Sequence, residues 1–510
     1  KGKYMVNVIV QLSKYLITLL MVLFTVQSFL ALRERDEEER SYILGKQILM
    51  ILLMDFICFF VMYLQEREFY IIRMFLYTLA YLLGVQAAYR ILFRKASMIL
   101  LNNMCMMLCI GLIILTRLRA SSAQTQFKII VISTVLSFIA IVIIRKVKIL
   151  KDLTWLYGIA GIMMIGAVLL LAVRTGGAQL SIQFGGEDGF TFQFSEFVKI
   201  TLVFFLAGML REDNSFRKVV ITTVVAAVHV LILVASTDLG TALVYFVAYV
   251  VVIYLATRKA VYPLLGLGGM AIACVAAYFL FSHVRTRVLV WRDPFQNYDA
   301  GYQVIQALFG LASGGWFGTG LFEGSPTSIP VARKDATFCA ICEEMGLIFG
   351  ICLILLCMST FLLIVNISMK MNKRFYKLIA MGLGSEYAIQ VFLTIGGITK
   401  FIPLTGITLP LVSYGGSSIL CTILMLSIIQ GLYILREDEG EALAKRNKQK
   451  QKKSKAASKN AGTGAEKRKN GDVGRKKPKP AAQGKRGADL PEEDDLGRRI
   501  EEQTEKSLRW

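Results

Sequence analysis

Long apolar runs separated by short clusters of charge make up the chain from Val6 to Leu435. A bilayer core ~30 Å thick is crossed by roughly 20 predominantly apolar helical residues. By that measure the pattern predicts about thirteen transmembrane helices, over 6–32, 47–65, 69–90, 97–116, 127–144, 153–173, 195–210, 218–236, 240–257, 261–282, 338–366, 376–399 and 412–435. The implied fold class is an all-α polytopic membrane protein. The first run is long and no small-residue cleavage site follows it. The charged stretch Arg33–Arg40 comes instead, so the run reads as a span and not as a cleavable signal.

The basic clusters orient these spans. Arg90, Arg94 and Lys95 mark one loop, and Arg145, Lys146 and Lys148 mark the next on the same side. Arg217 with Lys218, Arg258 with Lys259, and Lys370, Lys373, Arg374 and Lys377 continue the series. They fall on alternate loops, which the positive-inside rule assigns to the cytoplasm. The expectation is an external N-terminus and a cytoplasmic C-terminal tail. Three outer segments are longer or richer than turns: 174–194, Ser236–Gly240 and 283–337. Loops above about 15 residues are usually functional or disordered. The third carries Trp291, Phe295, Tyr298, Tyr302, Phe309, Trp316 and Phe317, which predicts a partly helical segment packed on the bundle.

Composition adds a tail to this picture. Hydrophobic residues make up 55% and charged residues 18%, yet the formal charge is +22. Much of the excess lies in 445–486, where only Glu466 and Asp472 oppose the Lys and Arg residues. Such a segment cannot bury a core. The expected organisation is therefore three N-terminal helices over 1–95, a core over 96–436 with the large outer loop 283–337, and a disordered basic cytoplasmic tail over 437–510. The tail suits anionic lipid. It lacks interleaved aromatics, so nucleic acid is not an expected partner. The nine cysteines sit mostly in apolar runs and read as packing. Cys339 and Cys342 spell CxxC without the setting that redox chemistry needs.

Carboxylates at membrane boundaries are costly and so become functional candidates. Glu196 and Lys199, three apart at a helix start, are either an interfacial ion pair or a site. Asp238 is either the cap of the helix beginning near Gly240 or a ligand contact. Glu343 and Glu344 lie inside the run 338–366, either paired with a buried cation or lining a pocket. Asp335 follows Arg333 and Lys334 just before that run. The cations should keep it ionised. On one helix, Asp335 and Glu343 would return to within ~80° of the same face and lie roughly 12 Å apart. That spacing suits one catalytic base with a second carboxylate deeper in the pocket. Arg285, Arg287, Arg292, Arg333 and Lys334 are either a solvated rim or a cradle for an anionic headgroup. No His/Cys/Asp spacing indicates zinc, and no protein-held metal is expected.

The ordered motifs resemble those of the SEDS family (shape, elongation, division and sporulation). Phe192-Gln193-Phe194-Ser195-Glu196-Phe197-Val198-Lys199 resembles its FQPSE-x-x-K, and Asp238-Leu239-Gly240-Thr241-Ala242 its PDLGTA. Gly301-Tyr302-Gln303-Val304-Ile305-Gln306, Ser313-Gly314-Gly315 and Gly318-Thr319-Gly320 resemble its outer loop. Pro330, Asp335, Glu343, Glu344 and Gly346 keep its P-x-x-x-T-D…EE-x-G spacing. The block from Pro403 to Ser418, with Ser413, Tyr414, Gly415, Gly416 and Ser417, resembles its PxTGxxLPFxSYGGSS. Departures are Ser181 for a Trp, Phe194 for a Pro, Lys334 for a Thr and Thr394 for an Asn.

The resemblance covers about residues 97 to 435. It implies a GT-C-like bundle of ten family helices, with three more before it, in a bacterial cytoplasmic membrane. It further implies a peptidoglycan glycosyltransferase that polymerises lipid II at the outer face, in division, elongation or sporulation. Asp335 matches the family's catalytic aspartate. Substrate contacts would come from the residues of the matched motifs, Gln303 and Gln306 among them, and from the loop cations. A divalent cation (Mg or Mn), a class B penicillin-binding protein and other divisome or elongasome proteins are the implied cofactor and partners. The alternative is a flippase for a lipid-linked precursor. It would need a midplane site, often with inverted repeats, and the sequence shows no such repeats.

Overall fold

The computed structural model describes residues 2–171, 182–184, 190–212 and 214–469. Three N-terminal helices come first: α1 (Gly2–Arg33), α2 (Glu37–Glu66) and α3 (Phe69–Leu92). Then follow α4 (Met98–Leu118), α5 (Ala120–Lys146), α6 (Thr154–Leu171), α7 (Phe194–Met209), α8 (Phe216–Ala235), α9 (Leu239–Thr257) and α10 (Val261–Leu280). The long loop folds into α11 (Ser282–Arg292), α12 (Tyr298–Gly314) and α13 (Thr337–Met345). Helices α14 (Leu347–Met369), α15 (Arg374–Ile398) and α16 (Gly416–Lys469) complete the chain. Ile182–Phe184 and Phe190–Phe192 pair as a short antiparallel hairpin before α7. Most of the outer segment 174–194, including Gly177–Ser181, and the tail beyond Lys469 lie outside the described residues.

Among the described residues eleven helices are long and apolar enough to cross a membrane, not thirteen. The two expected spans that fall short are α6, whose apolar stretch is Thr154–Ala167, and α7, which has 16 residues. The expected span 338–366 is also two helices. Gly346 breaks it with φ +90°, a conformation that glycine alone adopts without strain. A Cβ there would lie 2.5 Å from the Trp316 carbonyl oxygen, so close approach excludes a side chain as well.

The helix outsides are apolar, as lipid demands. Leu12, Leu16, Leu19, Leu264, Leu265 and Ile272 are all exposed, and α10 buries no residue. Helix α4 is the opposite. Its buried face is nearly the whole helix, which puts it at the centre of the bundle. It also joins the N-terminal helices to the rest through a ladder of buried amides and hydroxyls. Gln86 Nε2 donates to Asn102 Oδ1 (2.8 Å), Asn102 Nδ2 to Gln47 Oε1 (3.0 Å), and Gln47 Nε2 to Ser28 Oγ (3.1 Å). Ser28 Oγ in turn donates to Asn103 Oδ1 (3.1 Å), and Asn103 Nδ2 to Thr360 Oγ1 on α14 (3.2 Å). Where lipid tails remove any hydrophobic drive between helices, such bonds tie them together. Residues 1–95 are accordingly no separate body, because one compact unit runs Lys1–Ala442.

Polar contacts divide the loops between two ends. At one end Lys95 and Arg145 both meet Asp438, Arg211 meets Asp152, and Lys373 meets Glu439. At the other, Lys14 Nζ donates to the Gly318 carbonyl (3.3 Å), Gln65 to Glu323 (2.9 Å) and Arg287 to the Thr405 carbonyl (3.2 Å). The basic loops singled out in the sequence thus share one end. Disorder from 437 is not what the structure shows, since α16 runs unbroken to Lys469. Glu437–Lys448 is rich in Glu, Ala, Lys and Arg, good helix formers, and Asp438, Glu439 and Glu441 are held by Lys95, Arg145 and Lys373.

Candidate functional site

Asp335 does not lie on the helix that carries Glu343. It sits in the turn before α13, part-buried, and α13 begins only at Thr337. Arg287 from α11, Gln303 from α12 and the neighbouring Lys334 face it. The 403–408 segment closes the fourth side at Gly406, where φ is +75°. A Cβ built there would come 3.7 Å from Asp335 Oδ2 and 3.8 Å from Arg287 Nη2, so glycine brings backbone next to both charges. Burial pushes the Asp335 carboxyl above its ordinary value. Lys334, Gln303 and Arg287 pull the other way with smaller effect. Withdrawal from water disfavours the charged form, and here it outweighs the neighbouring cations.

Beside Asp335, Arg287 and Gln303 also line an open cleft of about 70 Å³. Trp291, Lys400 and Leu404 form its other walls, with the Trp291 indole N–H donating to the Lys400 carbonyl (3.2 Å). Arg285 is not part of this group. It is exposed and donates to the Phe279 carbonyl (3.3 Å). Gln306 lies one turn beyond Gln303 on α12, and its side chain makes no hydrogen bond among the described residues.

Glu343 and Glu344 occupy a different place. Glu343 Oε1 accepts the Ser325 N–H (2.6 Å). Glu344 Oε1 accepts from Arg117 Nε (2.9 Å) and the Phe322 N–H (3.2 Å). Arg117 also donates to the Gly324 carbonyl (3.3 Å) and lies 4.1 Å over the Phe322 ring. The pair thus pins the 318–325 loop, and the buried cation on another helix is Arg117. Helix α12 passes both carboxylate sites, with Gln303 at Asp335 and Gly310 at Glu343. Seven residues separate those positions, roughly 10 Å along a helix axis.

The 413–418 block is a hydrogen-bonded scaffold. Gln126 on α5 donates to the Ser413 carbonyl (2.9 Å) and accepts the Gly415 N–H (3.2 Å). Ser413 Oγ accepts the Leu409 N–H (3.0 Å), and Ser417 Oγ the Gln193 N–H (2.8 Å). Gly416 starts α16. The Tyr414 N–H donates to the Arg333 carbonyl (2.7 Å), and the Arg333 guanidinium reaches Ser122 Oγ (2.5 Å). The block therefore fixes the chain two residues before Asp335.

Asp238 caps α9, its Oδ1 accepting the Thr241 N–H (3.1 Å), while Oδ2 faces Gln193 and Ser195 (both 3.5 Å). Glu196 and Lys199 form an ion pair (2.5 Å) that is nearly buried, and Lys199 also donates to Gln390 Oε1 (2.8 Å). Sequence reasoning missed Glu386 on α15. It is 1% exposed, and neither carboxylate oxygen has a hydrogen-bond partner. A lone carboxylate inside the apolar run 376–399 was the available signal.

No group of three His, Cys, Asp or Glu residues suited to a metal occurs among the described residues. At Asp335 one carboxylate stands amid two cations, a donor set that does not fit a divalent cation held by the protein.

Buried charge inside a bundle of long apolar helices defines a multi-pass membrane protein. The chain belongs to the FtsW/RodA/SpoVE family of cell cycle proteins, whose model matches residues 96–437. It is similar to the peptidoglycan glycosyltransferase RodA of Mycobacterium tuberculosis, at 38% identity over 299 residues, covering 54% of this chain and 62% of that protein. Stage V sporulation protein E of Bacillus subtilis is 31% identical over 255 residues, covering 48% of this chain and 69% of that one. In structure it resembles a chain of a peptidoglycan synthase complex, with TM-score 0.57 and 22% identity over 67% of this chain and 98% of that one. It resembles Thermus thermophilus rod shape determining protein RodA with TM-score 0.50 and 19% identity over 67% and 97%. The three N-terminal helices lie outside the family match.

Proposed function

We propose that this chain is a peptidoglycan glycosyltransferase that polymerises lipid II at the outer face of the bacterial cytoplasmic membrane. The observation that carries this reading is Asp335, part-buried, facing Arg287, Lys334 and Gln303 beside an open cleft. Asp335 takes the proton from the acceptor sugar hydroxyl as that oxygen bonds to the donor's anomeric carbon. The bond from that carbon to the pyrophosphate oxygen breaks, and undecaprenyl pyrophosphate leaves with the electron pair. A general base held near the operating pH contributes typically about 10²–10⁴-fold, and burial moves Asp335 in that direction. Arg287 and Lys334 supply the positive charge that a departing pyrophosphate needs.

The basic loops orient the protein, with 90–95, 145–151, 211–218, 258–259 and 370–377 cytoplasmic and 283–337 external. A class B penicillin-binding protein is the proposed partner, joined through the membrane helices and outer loop. The basic tail has too few apolar residues to bury an interface. The test is glycan synthesis from purified lipid II. Asp335→Asn should lower polymerisation at least about a hundredfold with folding intact. Near-wild-type turnover would remove the assignment.

One observation favours a second reading as a lipid-linked precursor flippase, namely the buried charges Glu196, Lys199 and Glu386 within the bundle. Intramembrane charges often mark transport paths. Loss of lipid II translocation in Glu386→Gln, with polymerisation unchanged, would favour it.

A further inference from the structure

At the end opposite Asp335, the termini of α9 and α15 and the approach to α8 enclose an open cleft of about 390 Å³. Its rim carries Arg258, Arg374 and Lys377, and the part-buried Leu255 lies among its lining. The Ala256 carbonyl gathers the rim. Asn214 Nδ2 donates to it (2.6 Å), and so does the Arg374 guanidinium. Arg258 closes α9 in the left-handed region (φ +58°), a position where glycine or asparagine is the common choice.

Several other cations at this end have anions. Lys95 meets Asp438 and Glu441, Arg145 meets Asp438, Arg211 meets Asp152, and Lys373 meets Glu439. Among the described residues no carboxylate pairs with Arg258, Arg374 or Lys377, and none lines the cleft. Three like charges around one opening repel each other. A positive-inside excess explains cations on this face, but not the convergence of three of them on one cleft around a shared carbonyl.

We propose that this cleft binds the phosphate of an anionic phospholipid headgroup, with the glycerol and upper acyl carbons against Leu255. Basic pockets between transmembrane helices on the cytoplasmic side take such headgroups. A free phosphate shares the charge but not the apolar part. The site is distinct from Asp335 and does not depend on the glycosyltransferase reading.

Native mass spectrometry of the full chain, released from micelles holding equal phosphatidylglycerol and phosphatidylcholine, tests it, with inorganic phosphate as a separate arm. The wild type should retain phosphatidylglycerol preferentially. Each surface cation near an anionic headgroup is worth about fivefold in retention, so Arg258→Gln/Lys377→Gln should lose about thirtyfold. Lys148→Gln, at the same end but outside the cleft, should retain lipid like the wild type. Size exclusion and circular dichroism confirm folding of each variant, and Arg258→Lys should recover part of the retention. Equal retention of the two lipids by the wild type, or an unchanged double variant, overturns the proposal. Binding of inorganic phosphate without selective lipid retention overturns it too.

Discussion

Replacing Glu344 by glutamine separates scaffold from chemistry. The Glu344 side chain is 0% exposed and its partner Arg117 only 12%. Removing one member of a buried pair costs about 3–5 kcal/mol, because the other charge is left without compensation. Glutamine keeps an acceptor for the Phe322 N–H and for Arg117, and a hydrogen bond of this kind is worth about 1 kcal/mol. The loss should therefore fall at the lower end, about 3 kcal/mol, a large share of the roughly 5–15 kcal/mol that holds a protein folded. Thermal unfolding of detergent-purified Glu344→Gln should show a clearly lowered midpoint, while glycan synthesis per folded molecule, assayed well below it, stays near wild type. Adding Arg117→Met removes the stranded charge and should restore part of the stability, a non-additive result expected of a contacting pair. An unchanged midpoint together with collapsed turnover would refute the reasoning and return Glu344 to the substrate.

Three further outcomes are expected. Burial raises the Asp335 carboxyl, so it stays protonated to a higher pH than a free carboxylate; the acid limb of the pH–rate profile should lie above the usual carboxylate range of about 4, and Arg287→Gln, which removes a charge favouring the ionised form, should move it higher still, whereas a limb at the ordinary value contradicts the burial argument. Gln126→Leu leaves the Ser413 carbonyl and Gly415 N–H without their partner, at about 1–3 kcal/mol per group; chemical denaturation should register the loss, and an unaltered midpoint would show that α5 does not hold this loop. Lys14→Met/Gln65→Leu removes two of the bonds that hold the outer loop to α1 and α2; cleavage after Glu323 by a glutamate-specific protease should speed up, and an unchanged rate would mean that these two bonds do not secure it.

The sequence alone determined the membrane class, the helical succession and the family, because hydrophobic runs and local motifs need no knowledge of what packs on what. Alternation of basic loops likewise sorted the chain into two ends before any contact was known. Helix length was less legible. The run 338–366 reads as one span by hydropathy, and only the backbone at Gly346, pressed against Trp316 and Phe317, shows why it breaks. The shared helical face of Asp335 and Glu343 failed at the other end of the run, because α13 begins only at Thr337. Tertiary structure instead brought Arg287, Gln303 and Gly406 to Asp335 from positions up to 71 residues away, and gave Glu344 to Arg117 from 227 residues away. It also decided the balance at Asp335. Neighbours in sequence supply visible charge, but desolvation depends on everything that covers a group, and what covers this one comes from α11, α12 and the 403–408 segment.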